Sequence, residues 1–157
     1  MNQAHEDHLH LLVCIDRINS AWQTLKAIQA NTGHSLVGPA FRYALVEYAT
    51  GFTRSDGSIK KRRTLPPIVV PPAHKELHTR IIDARHQTHA HADLVALDAV
   101  LHVDYINGIK HVSHVQNYIH GLEELKNLDA IVELIEDVLD NVYALHRESK
   151  ERLLPEA

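Results

Sequence analysis

Apolar residues fall on helical stripes over most of the chain. Leu11, Ile15, Ile18, Trp22 and Leu25 follow alternating steps of four and three, which place them on one face of an amphipathic helix. The spacing predicts a first helix over about 5–30. It should stop in Asn31-Thr32-Gly33, with Gly33 supplying the left-handed residue that closes many helices. Phe41, Leu45, Tyr48 and Phe52 repeat the pattern after Gly38-Pro39, and proline suits a first helical turn because its missing N–H would be unpaired there anyway. A second helix over about 39–52 follows. Leu77, Ile81, Ala84 and Thr88 predict a third beginning after Pro72, and Leu128, Ile131, Ile135, Val138, Val142 and Leu145 predict a long last one.

Two stretches break the helical period. The segment 53–72 contains Asp56-Gly57, Pro66-Pro67 and Pro71-Pro72, so it reads as a long basic, proline-rich loop, of a length that in a small domain is usually functional or mobile. Over about 97–115 the period drops to two, with Leu97, Ala99, Leu101, Val103 and Tyr105 alternating with polar or small residues. Asn107-Gly108 then supplies the strongest short signal for a two-residue hairpin turn. That loop length sets Ile106 against Ile109 and Asp104 against His111. The expected fold is mainly α: an up-and-down bundle of about four helices with an inserted β-hairpin, in one domain spanning 1–157. A lone hairpin is marginal in water, so this one is expected to pack on the bundle or on another subunit.

Composition narrows the class. With 45% hydrophobic and 23% charged residues the chain is globular and not disordered. One cysteine leaves no intramolecular disulfide, as is usual in the cytoplasm. The longest aliphatic stretch near the N-terminus, Leu11 to Ile15, is too short for a signal peptide or a membrane span. The net charge of −4 conceals an uneven distribution. Arg54, Lys60, Lys61, Arg62 and Arg63 face only Asp56 in the loop, whereas seven acidic residues between Gly121 and Asn141 face Lys126 alone. The run Lys60, Lys61, Arg62 and Arg63 is a candidate for tracking an RNA backbone, since phosphate neutralisation supplies most sequence-independent affinity; the plainer alternative is a solvated loop. Tyr43 and Tyr48 are candidates for base stacking or, at helical spacing, for the core, while Arg42 and Glu47 read as surface residues.

Fourteen histidines are the unusual entry. The pairs His74/His78, His86/His89 and His111/His114 have spacings that zinc or nickel accepts, yet no HExxH or Cys-x-x-Cys pattern accompanies them, and no dedicated metal or other cofactor is expected. His5 and His8 read as exposed positions of the first turn. The densest polar cluster runs from Arg85 to Asp93 and joins an arginine to His86, His89 and His91. Arginine offers a permanently charged fork of donors to a phosphate, and imidazole moves protons near neutral pH, so the pair suits phosphodiester cleavage. The structural alternative is a helix end at which imidazoles cap carbonyls and Arg85 pairs with Asp83 or Asp93.

Arg85-His86, four residues and His91, continuing as Ala90-His91-Ala92-Asp93, resembles the Arg-polar-x(4–6)-His signature of the HEPN superfamily, including its common Ala-His-x-Asp form. The resemblance covers nine residues in sequence and, in layout, long helices before and after the motif. It implies a metal-independent endoribonuclease that works as a homodimer, with motifs from two subunits meeting at one cleft. Arg85 would bind the scissile phosphate, His91 would act as acid or base for attack by the ribose 2′-hydroxyl, and His86 would orient the arginine or the phosphate. His89, with the basic run, is counted among the substrate-binding residues. The family also implies a toxin or phage-defence setting, an antitoxin or regulatory protein as partner, and a non-catalytic variant of the fold that only binds RNA or a partner. A metal-dependent helical-bundle hydrolase is the rival chemical reading. The hairpin stands outside the family's minimal bundle.

Overall fold

The computed structural model describes residues 2–56, 62–86, 100–115 and 122–153. Helix α1 spans Gln3–Ala30, α2 Val37–Thr50, α3 Lys75–Ala84 and α4 Leu128–Leu153; strands β1 (Ser55–Asp56) and β2 (Arg62–Arg63) pair as a short ladder, and β3 (Val100–Ile106) pairs with β4 (Ile109–Val115). Among the described residues the architecture is thus a bundle of helices with an inserted hairpin, as the periodicity predicts.

Local chemistry accounts for most of the ends. Asn2 caps α1 by accepting the His5 N–H at 2.9 Å, which satisfies one of the first-turn donors left open in any helix. At the other end the expectation for Gly33 fails. Asn31 is the cap, its N–H donating to the Ile28 carbonyl at 3.0 Å, and among the described glycines only Gly108 has positive φ. Helix α2 begins two residues earlier than predicted, yet Pro39 still falls within the first turn, where no backbone donor is needed.

Helix α1 is the spine, with α2 and α4 packed on it. Ile18, Ala21 and Leu25 of α1, Phe41, Leu45 and Tyr48 of α2, and Ile131, Leu134, Ile135, Val138 and Val142 of α4 are wholly buried. The predicted stripe of α4 is thereby met, with Leu128 and Leu145 packed at its margins. Fully burying one such side chain contributes about 1.5–3 kcal/mol, so this seam dominates stability.

The proline-rich segment is far from free where it is described. Leu65, Val69 and Val70 are buried in the core. The Leu65 N–H donates to the Gly51 carbonyl at 2.8 Å, and Asn141 on α4 donates its side-chain N–H to the Val69 carbonyl at 2.9 Å. Two single turns of 3₁₀ helix, Pro67–Val69 and Pro72–His74, let the prolines sit where they block no hydrogen bond and lead directly into α3.

The hairpin forms in the predicted register, with Ile106 opposite Ile109 and Asp104 opposite His111. Asn107 and Gly108 take φ values of 52° and 78°, the two left-handed residues of the tight turn whose twist matches the strands. Every residue of β3 and β4 is exposed. The bundle therefore does not cover the hairpin, contrary to one of the two expectations for it.

Candidate functional site

Helix α3 has a narrow buried stripe. Leu77 and Ile81 face the core, and Arg85, four residues on, continues the same face at the helix end. Its side chain is consequently half-buried. The guanidinium Nε is sequestered from solvent and has no hydrogen-bond partner among the described residues, while Nη1 lies a long 3.4 Å from His86 Nδ1. Asp83 is exposed, and no ion pair joins it to Arg85, so one of the two structural partners suggested by the sequence is not used. At Arg85–His86 the helix widens into a π-type turn, a feature frequent at functional sites. His86 is exposed beside the arginine. His89, His91 and Asp93 lie outside the described residues.

The basic run divides. Lys60 and Lys61 lie outside the described residues. Arg62 is exposed and 3.7 Å from Asp56. Arg63 turns inward. Its Nη2 lies 2.9 Å from Glu6 Oε2 and its Nε donates to Asp7 Oδ1 at 2.7 Å, with the Arg63 and Glu6 side chains only 6% and 4% exposed. The β1–β2 ladder causes this, because pairing Arg63 with Ser55 directs the arginine side chain at the first turns of α1. Arg63 is a structural tie between β2 and α1, neither the RNA-tracking residue nor the solvated loop residue that the basic run suggests.

That tie borders a cavity of about 270 Å³ lined by Glu6, Leu9, His10, Val13, Cys14 and Arg17 of α1 together with Thr50, Ser55, Asp56 and Arg63. None of the sequence motifs above points to this cavity, although Glu6, His10 and Cys14 recur at steps of four and so share one helix face. His10 Nε2 lies 3.6 Å from Cys14 Sγ. Burial pushes the thiol up to about 11, and burial together with the Arg63 guanidinium holds His10 below its ordinary value. Near neutral pH the pair is a thiol beside a neutral imidazole, without the thiolate that nucleophilic chemistry requires. The remaining charges are already neutralised, Glu47 accepting from Arg17 Nη1 at 2.7 Å. Glu47, expected at the surface, is therefore a buried partner.

Of the three histidine pairs, the two that are fully described do not converge. His74 Nε2 lies 3.0 Å from Asp137 on α4, whereas His78 Nδ1 is hydrogen bonded to the Tyr48 hydroxyl at 2.8 Å and edges the Phe52 ring. His111 and His114, three apart on a strand, lie on opposite faces of the hairpin. His8, expected to be an exposed first-turn residue, is half-buried against His146 and bonded to Ser149 of α4 at 3.1 Å. Among the described residues no group of three His, Cys, Asp or Glu side chains could hold a metal ion. Tyr48 is core, while Tyr43 is exposed and bonded to Ser20 at 3.0 Å. No helix among the described residues is long and apolar enough to cross a membrane. Compared with family models, curated proteins and solved structures, the chain matches none.

Proposed function

We propose that the chain is a HEPN-like, metal-independent endoribonuclease acting as a homodimer, with Arg85 binding the scissile phosphate and His91 moving the proton of the attacking ribose 2′-hydroxyl. The observation that carries the reading is the state of Arg85. The fold places its guanidinium at the end of the α3 core stripe, partly desolvated, with Nε unpartnered among the described residues and Asp83 unused. A partly desolvated cation with no carboxylate partner among the described residues is well stabilised by an anion, and arginine's planar fork fits a phosphate with two parallel hydrogen bonds. His86 stands close enough to share that anion.

In such a site Arg85 would neutralise charge that grows on the phosphate as the 2′-hydroxyl attacks, and His91 would take that hydroxyl proton or supply one to the leaving 5′-oxygen. Lys60, Lys61, Arg62 and His89 are the candidates for holding the flanking backbone; Arg63 is committed elsewhere. The setting consistent with such an enzyme is a toxin or phage-defence protein in the cytoplasm, restrained by an antitoxin or regulatory partner.

End-group analysis tests the reading. Incubating the pure chain with RNA in EDTA should yield fragments ending in a 2′,3′-cyclic phosphate, and replacing the scissile ribose by deoxyribose should abolish the cut. Cleavage that requires added zinc or manganese would favour a metal-dependent hydrolase instead. A second reading, a non-catalytic binding protein of the same fold, is favoured by the wholly exposed hairpin; RNA retention without any cleavage would select it.

A further inference from the structure

Strands β3 and β4 carry an excess of apolar surface for a segment in water. Leu101, Tyr105, Ile106 and Ile109 are 66%, 71%, 56% and 65% exposed, and among the described residues each strand has only the other as a neighbour. Two-stranded ribbons are marginal, and three or more strands make a stable sheet. A segment that extends this ribbon needs a compatible backbone phase and side chains.

The phase of the free edge follows from the turn. In a two-residue hairpin the pair flanking the turn exchanges both backbone hydrogen bonds, and bonded and non-bonded pairs alternate beyond it. Ile106, Asp104, His102 and Val100 therefore direct their N–H and C=O groups at β4. Leu101, Val103 and Tyr105 direct theirs outward. We propose that two copies of this chain pair antiparallel through these outward groups, with the two-fold axis at Val103, so that two hairpins form one four-stranded sheet.

The side chains single out this register. With the axis at Val103, Leu101 of one copy meets Tyr105 of the other, Val100 meets Ile106, Val103 meets itself, and His102 meets Asp104. All seven residues of β3 are paired, three pairs exchange backbone hydrogen bonds, and the one charged residue of the strand lies against an imidazole. Moving the axis to Asp104 sets carboxylate against carboxylate, and moving it to His102 sets imidazole against imidazole. The outer edge of β4 is less suited, because an axis at Val112 sets Lys110 against His114 of the second copy, and an edge lysine is a common device against strand pairing. The inference rests on the dimeric part of the proposed function, but its readout is mass and not RNA cleavage, so either can fail without the other.

The test is the molar mass of the intact chain by light scattering across a dilution series, with two matched variants. Val103→Pro removes an outward donor of β3 without touching the bonds to β4, and Val112→Pro does the same on the outer edge of β4. The expected result is twice 17.7 kDa for the wild type and for Val112→Pro, and at least a tenfold weaker dimer for Val103→Pro. A monomeric wild type at every concentration, an undisturbed Val103→Pro dimer, or equal loss in both variants would overturn the proposal.

Discussion

Removing Arg63 should unfold the protein more readily without altering its behaviour toward RNA. The Glu6 and Arg63 side chains are 4% and 6% exposed and 2.9 Å apart, with Asp7 on the guanidinium Nε at 2.7 Å. Arg63→Ala leaves the Glu6 carboxylate desolvated beside a void, and breaking a buried pair from one side costs about 3–5 kcal/mol. Asp7 is 40% exposed and contributes little beyond this, since water can replace its partner. For a chain of 157 residues, about 2–4 °C per kcal/mol converts that cost into a fall in Tm of roughly 6–20 °C. The urea midpoint followed by circular dichroism, with the slope unchanged, gives the same quantity independently. Exchanging both partners, Glu6→Leu with Arg63→Met, should recover most of the loss, because a well-packed apolar pair of similar volume needs no compensation. A single variant within about 1 kcal/mol of wild type, accompanied by weaker RNA binding, would refute the reasoning and return Arg63 to the basic run.

Gly51→Ala should destabilise by about 1–3 kcal/mol in a urea titration, since the added Cβ would lie 2.8 Å from Leu65 Cδ1 in a packed core; an unchanged midpoint would mean that Leu65 is loosely held. His8, His10 and His78 are all held below the ordinary imidazole value of 6.5, chiefly by burial. The unfolded chain therefore protonates first: stability is intact above about pH 6.5 and falls as the pH drops through that value toward the lower folded values. The urea midpoint should accordingly decrease between pH 7.5 and 5.5, and a variant with all three changed to glutamine should show a flatter profile; equal slopes would contradict it. With its thiol pushed up to about 11 by burial, Cys14 should react with a disulfide reagent only after unfolding, and rapid labelling of the folded chain would show α1 to be open there.

The helices were legible because their stripes are periodic and local: Ile18, Leu25, Ile135 and Val142 occupy positions that the four-three spacing already assigns to the core. The hairpin turn was legible for a different reason, since Asn-Gly is among the few pairs that accept two left-handed residues. Leu65, Val69 and Val70 were not, because prolines erase any period and only the tertiary surface of α1, α2 and α4 reveals where such a segment lies. The inward turn of Arg63 is hidden in the sequence for a related reason. A cation in a basic run looks solvated until Glu6, 57 residues earlier in the chain, is brought against it. Glu47 is the same case with Arg17 as the partner. At the candidate site, the alignment of Arg85 with Leu77 and Ile81 follows from helical spacing, but its unpartnered Nε is a property of the packed structure.

The most direct test of the central claim is the rate at which the intact chain and its Arg85→Ala variant cut an unstructured RNA in EDTA. Loss of the phosphate-binding fork should lower the rate by about a hundredfold or more, as removal of other charge-stabilising donors does, with the helical circular dichroism unchanged. Equal rates for the two proteins, or no cleavage by the wild type, would contradict it.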